Sequence, residues 1–159
     1  MHTRFRDDAS LPMYDGSPSL VECPRCRERA ELVFQISPDN PSSRSYTAPP
    51  RVVCSRCSYA EVRNPGQPVT RDEAREPLTG LPLWLQTPCA GHVLWAWNSW
   101  HLDFLERYVS AGLRERTPNI NVSLASRLPA WIKSAKNRDD VLKGIRRLRH
   151  RLGQSNGAS

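Results

Sequence analysis

Two Cys-x-x-Cys pairs, Cys23-Pro24-Arg25-Cys26 and Cys54-Ser55-Arg56-Cys57, constrain this chain more than any other feature. Each puts two sulfurs on one tight turn, and 27 residues lie between the inner cysteines, Cys26 and Cys54. Four thiolates brought together from two such turns complete a tetrahedral shell, the arrangement of a structural Zn²⁺. A catalytic zinc keeps one coordination position open and has fewer protein ligands. The set therefore predicts one Zn²⁺ held by Cys23, Cys26, Cys54 and Cys57, in a structural role only. The ordinary alternatives are four buried but unliganded thiols, or a redox pair. Two paired turns at this spacing weigh against the first, and the lack of a thioredoxin-like βαβ pattern against the second.

The sequence around the pairs supplies the strands that a metal-held module needs. Ala30 to Ile36 is a β-prone run, Arg51 to Cys54 leads into the second turn, and Ser58 to Arg63 leaves it. Ser37 to Pro50 holds four prolines and four serines and reads as a loop. Turn, strand, loop, strand, turn, strand is the order of a zinc ribbon, here over residues 20–64. Arg27 and Ser58 stand where a glycine usually follows each turn, which costs ease of turning and not the metal. A segment of about 45 residues buries too little apolar surface to fold alone, so the metal must supply the missing stability.

Composition bounds the rest. With 159 residues, the chain fits one domain, or a small metal-held module plus a second small core. An apolar content of 38% is low for a single well-packed domain, and 14 prolines imply much irregular backbone. The first eight residues have no apolar leader and no run reaches a membrane span, so a cytoplasmic protein with reduced thiols is expected. The net charge of +7 is unevenly spread. Residues 1–64 carry nine basic and eight acidic side chains, residues 65–126 five and six, and residues 127–159 nine and two. The cysteine module is nearly neutral, and the basic surface belongs to the C-terminal end.

Residues 1–19 lack an apolar period and read as a loose lead-in, and 65–79, opening on Pro65, Gly66 and Pro68, as a linker. Arg71 to Glu76 supports no more than a helical turn. Residues 80–153 form the second unit. Leu81–Gln86 and His92–Trp97 flank Thr87–Gly91, the pattern of a β-hairpin with a longer turn, and Val93, Trp95 and Trp97 share one face. Asn98 caps a helix over 99–115, whose Leu102, Leu105, Val109 and Leu113 repeat at helical spacing. Ser123 caps a short helix through Leu124 and Leu128 that Pro129 breaks or restarts. Asn137 caps a last helix with Val141, Ile145, Leu148 and Leu152 turned inward, and 154–159 form a disordered tail. The fold class is α+β: a four-cysteine zinc ribbon, then a tryptophan-rich hairpin packed on two or three helices.

Outside the cysteines, three features compete for a function. Cys89 and His92 form a possible second polar site, either half a metal site with His101 or a thiol–imidazole pair. No local group orients such a pair, and a buried small thiol at a hairpin turn is the blander reading. Trp84, Trp95, Trp97 and Trp100 fall within 17 residues. They make either a stacking platform for bases or, better, the core of a small domain, with Trp84 or Trp97 at its surface. The C-terminal cations are the strongest pointer to a partner: Arg127, Lys133, Lys136, Arg138, Lys143, Arg146, Arg147, Arg149 and Arg151 against Asp139 and Asp140. Nine cations in a chain otherwise neutral exceed what a helix end welcomes and solubility requires. They point to nucleic acid through its phosphates, next to an acidic protein surface, and not to a membrane.

The two cysteine turns resemble the zinc ribbon of the transcription factor B type, over about a quarter of the chain. Gly80 to Gly91, Leu94 to Asn98 and Ser134 to Arg138 resemble a group of bacterial zinc-ribbon proteins without an assigned activity. The resemblance implies a binding module that docks on nucleic acid or on a larger protein machine. It carries over the four zinc ligands and no catalytic residue. The leading expectation is a non-enzymatic nucleic-acid-binding protein, with Arg25 and Arg56 adding contacts. The alternatives are an adaptor docking on a larger enzyme or complex and, more weakly, a small enzyme using Cys89 and His92.

Overall fold

The computed structural model describes residues 4–6, 18–36, 46–63, 74–76, 79–111, 113–115 and 128–156. In chain order the elements are β1 (Arg4–Arg6), β2 (Ser19–Glu22), β3 (Arg29–Ile36), β4 (Tyr46–Val53), β5 (Ala60–Val62), β6 (Leu85–Cys89), β7 (His92–Ala96), α1 (Ser99–Ser110), β8 (Leu113–Glu115), α2 (Ala130–Lys133) and α3 (Arg138–Asn156). A 3₁₀ turn over Ala135–Asn137 runs directly into α3. The molecule is thus mixed helix and sheet, with a four-stranded and a two-stranded antiparallel sheet.

Strands β2, β3, β4 and β5 pair antiparallel in that order. Alternation gives the sheet two faces. Val21, Ala30, Leu32 and Val52 turn to a buried side shared with Cys23 and Cys54. On the other side Val33, Val53 and Val62 are each 40–50% exposed. β4 begins at Tyr46, so the proline-rich loop expected to last until Pro50 ends earlier. Pro49 and Pro50 fit inside the strand because its register against β3 shifts between Val33 and Gln35, an irregularity of the kind that tolerates a missing N–H.

The stretch expected to be linker and helical turn is instead tied down in extended form at 74–76. Leu83 N donates to Ala74 O and Glu76 N to Leu81 O, and Arg75 bridges to Pro82. Glu76 is buried, its carboxylate accepting from the backbone and hydroxyl of Thr79, both at 2.7 Å. Leu81 and Leu83 belong to the cysteine-side core, and Leu83 bridges to Val21. The hairpin proper therefore starts later than expected, with β6 at Leu85. Its turn is the two residues Ala90 and Gly91, not the longer loop, because both take positive φ (49° and 78°), the twist that closes a two-residue hairpin.

Leu94 and Ala96 are the inward residues of β7, and they pack with Leu85 against α1 and α3. Asn98 caps α1 as expected, accepting from His101 N at 2.9 Å. The helix stops at Ser110, earlier than the expected 115; Ala111 turns extended and Gly112 follows in sequence. Leu113–Glu115 then pairs in parallel with β1, so part of the expected lead-in also lies in a strand. Pro129 stands at the N-cap of the single turn α2; the expected start of a helix at Ser123 and Leu124 lies outside the described residues. Asn137 does not cap α3. The 3₁₀ turn already occupies that position, and Asn137 donates to Trp131 O instead. α3 continues through Asn156, past the point where a tail was expected. Val141, Ile145 and Leu148 are buried on it as the stripe predicted.

The two cores meet along β2. Leu20 and Val21 point to opposite sides, Val21 into the cysteine core and Leu20 into the hairpin–helix core. Leu20 N donates to Trp97 O (2.7 Å) and Leu20 O accepts from Trp84 N (3.0 Å). Trp97 packs on both cores.

Candidate metal centre

The strands on either side of each Cys-x-x-Cys turn bring the four sulfurs together. Cys23 N donates to Glu28 O and Cys54 N to Tyr59 O, both at 2.8 Å, closing the two turns in the same way. Arg27 and Ser58 follow with φ of 62° and 63°, the left-handed conformation that glycine normally supplies. All four Sγ atoms lie within 4.8 Å of one another. Cys23 Sγ is 3.6 Å from Cys57 Sγ, and Cys26 Sγ 3.7 Å from Cys54 Sγ. A tetrahedral ion with metal–sulfur bonds of about 2.3 Å separates its sulfurs by about 3.8 Å. The donor set and its spacing fit a metal ion.

The thiols titrate unequally. Burial opposes ionisation of Cys23, but the amides of Cys26 and Arg25 and the neighbouring thiols outweigh it and bring Cys23 down to about 7. At Cys26 a backbone hydrogen bond near Glu28 favours the thiolate. Burial and the sulfurs of Cys54, Cys57 and Cys23 override it and push the group up to about 12. Burial, then Cys23, raises Cys57. The Cys23 thiolate forms readily, and Cys26 and Cys57 resist the gathering negative charge. A bound cation removes that resistance, so metal uptake releases protons. Cys23 and Cys54 are buried, Cys26 and Cys57 only half so. Arg25 lies over the Tyr59 ring and Arg56 pairs with Glu28 at 3.9 Å, so both cations already have partners on the surface of the turns.

The basic C-terminal residues divide into two groups. Several arginines serve the fold. Arg149 binds Asp103 and Glu106 of α1 at 2.6 and 2.7 Å. Arg147 donates to Pro88 O (2.8 Å) and Thr87 Oγ1 (3.2 Å). Arg151 covers the Trp84 ring at 3.7 Å, and Arg138 reaches Ala111 O at 3.5 Å. Lys133 also makes an internal contact. Lys136, Lys143 and Arg146 are exposed and carry no ion pair or hydrogen bond among the described residues. Arg127 lies outside those residues.

Cys89 and His92 face each other across the hairpin turn without forming a pair. The Cys89 thiol donates to Asp140 O at 3.4 Å, and burial pushes its pKa up, outweighing Arg147. His92 instead stacks on Trp131, centroids 4.7 Å apart and planes within 4°. His101, weighed as a third ligand, is committed to the core. It is 2% exposed, its Nδ1 accepts from Trp97 N (3.1 Å), and burial lowers its pKa to about 3. Trp95 and Trp97 both contact its ring, and Trp84 is buried, so the tryptophans are largely core.

Sequence reasoning missed Gly144. It lies mid-helix where α3 crosses the hairpin, and a Cβ there would come within 2.8 Å of Leu94 Cδ2 and 3.5 Å of Cys89 Sγ. An isolated glycine inside a helical pattern was the available signal of that close approach. Among the described residues, no helix is long and apolar enough to cross a membrane. No family model, curated protein or solved structure matches this chain.

Proposed function

We propose that the chain is a non-enzymatic binding module in which a zinc ribbon is held by one structural Zn²⁺ and the exposed face of α3 contacts nucleic acid. Four sulfur donors in a closed shell favour zinc over harder ions, and they leave no position for a substrate. The ribbon order and the transcription-factor-B-type resemblance support the module's name. Five free cysteines suit a reducing compartment such as the cytoplasm.

The observation that carries the nucleic-acid reading is the division of cations. The arginines at 138, 147 and 149 spend donors on the protein itself, and Arg151 lies over the Trp84 ring. Lys136, Lys143 and Arg146 do neither, and they stand exposed on α3 and on the 3₁₀ turn that leads into it. Such unpaired cations suit phosphate contacts that are salt-sensitive and independent of base sequence. The test is a triple substitution, Lys136→Glu, Lys143→Glu and Arg146→Glu, with binding of single- and double-stranded oligonucleotides measured at low salt. Loss of binding with the fold intact is expected; unchanged binding refutes the reading.

One observation favours the adaptor alternative. Val33 and Val62 flank Arg51 across the open face of the ribbon sheet, and Val53 stands exposed on the same face. A single partner protein that stays bound at high salt and is lost on Val53→Asp would move the assignment there.

A further inference from the structure

The place where α3 crosses the hairpin turn leaves a surface notch of about 300 Å³, walled by Ala90, Gly91, Asp140, Lys143 and Arg147 among others. Its existence follows from Gly144. Lacking a Cβ, that residue lets the helix backbone settle against Leu94 and Cys89, which brings the next turns of α3 up to the hairpin tip. Lys143 and Arg147 are four residues apart and therefore neighbours on one helix face.

The two cations differ in how they are held. Arg147 is fixed at the rim, Nη2 on Pro88 O and Nε on Thr87 Oγ1, and this uses only part of its five-donor fork. Lys143 is exposed and has no partner among the described residues. The hairpin tip lines the same notch, and its consecutive residues at positive φ leave the amides of Ala90 and Gly91 without a backbone acceptor among the described residues. Successive free amides on a turn beside a fixed guanidinium and an unpartnered ammonium make a donor-rich concavity of the kind that holds oxyanions. Asp140 offsets one of the two charges, so the notch keeps a modest net +1 and not a strongly positive field.

We infer that this notch binds a single phosphate group, with Lys143, the free edge of Arg147 and the turn amides as donors. The phosphate comes either from a nucleic-acid strand or from a free phosphate ester. The strand as source rests on the nucleic-acid reading above; the notch itself does not.

The experiment uses the zinc-loaded full chain, labelled with ¹⁵N and titrated with inorganic phosphate against chloride at equal ionic strength. Saturable shifts are expected at the amides of Ala90 and Gly91 and at the Nη–H protons of Arg147. Lys143→Gln should weaken the interaction about tenfold, the loss of one charged hydrogen bond, while the remaining signals hold their positions. Absence of saturation, or the same affinity in Lys143→Gln, overturns the notch. A single-stranded oligonucleotide then separates the sources. If it moves the same three signals, the notch serves a strand. If it binds through Lys136 and Arg146 while those signals stay still, the notch serves a free phosphate ester and the nucleic-acid reading survives without it. If only free phosphate moves them and no oligonucleotide binds, the notch stands and the nucleic-acid reading falls.

Discussion

Among the described residues, the cysteine-bearing sheet buries eight side chains in its core, two of them the sulfur donors Cys23 and Cys54. The hairpin and helices bury seventeen, centred on Leu94, Leu105 and Ile145. The second set is an ordinary apolar core, and burial of each Leu or Ile in it is worth about 2 kcal/mol. The first has three leucines, two valines, an alanine and the two cysteines, too little to offset the chain entropy of a four-stranded sheet. The difference says what a metal on the four cysteines would do: it would substitute for apolar area on one side of β2, where the other side needs no such support. Because Leu20 and Val21 face opposite ways on that strand, the two supports are neighbours without being the same support.

The strongest way to break this contrast is to remove the metal. Chelation, or Cys54→Ser, should unfold the β2–β5 sheet outright, since the ion contributes about 10 kcal/mol to modules of this kind. Helicity from α1 and α3 should persist. Circular dichroism for the helices and amide spectra for residues 18–36 and 46–63 read the two sides separately. If the helices melt together with the sheet, the molecule is one cooperative unit and the contrast is wrong.

Acid should strike the other side. His101 is neutral in the fold, its pKa lowered by burial to about 3, whereas an unfolded histidine titrates near 6.5. The unfolded chain therefore binds the extra proton first as pH falls. His101's contribution to stability is complete above pH 6.5 and is lost progressively between about 6.5 and 3, at roughly 1 kcal/mol per pH unit. Trp95 and Trp97 lie on the imidazole, so tryptophan fluorescence reports the loss locally. In His101→Gln the amide oxygen can accept from Trp97 N at any pH, and the slope should flatten. A slope unchanged in that variant would refute the assignment of the acid sensitivity to His101.

The parts of this fold that were legible in the sequence are those set by local chemistry. Four sulfurs at turn spacing announced their cluster, and Asn98 announced the start of α1. The Val141–Ile145–Leu148 stripe announced the inward face of α3. What escaped depended on partners distant in sequence. Ala74 to Glu76 looked like a helical turn because its register with Leu81 to Leu83 leaves no periodic signature. Asn137 had the right chemistry for a cap and was pre-empted by the 3₁₀ turn before it. The basic C-terminus was the least legible: composition counts charges, but only packing reveals that Arg147 reaches Pro88, Arg149 spans to Asp103 and Glu106, and Arg151 lies on Trp84. A run that reads as a surface for a partner is, for much of its length, the fastening of a helix.

The smallest expected effect sharpens the contrast from within the metal-held side. Arg27 and Ser58 follow the two turns with φ near +60°, where a side chain costs about 1 kcal/mol that glycine does not. Elsewhere a glycine loosens the unfolded chain and destabilises, by about 0.5–1 kcal/mol. At these two positions the relief of strain should slightly outweigh that loss. Arg27→Gly and Ser58→Gly should each raise metal affinity up to a few fold, and the double variant should combine them, because the substitutions lie on separate turns. The hairpin–helix unit should melt where it did before. Competition with a chromophoric chelator measures the affinity. A fall in affinity at either site would show that the side chain, and not the backbone conformation, is what that turn requires.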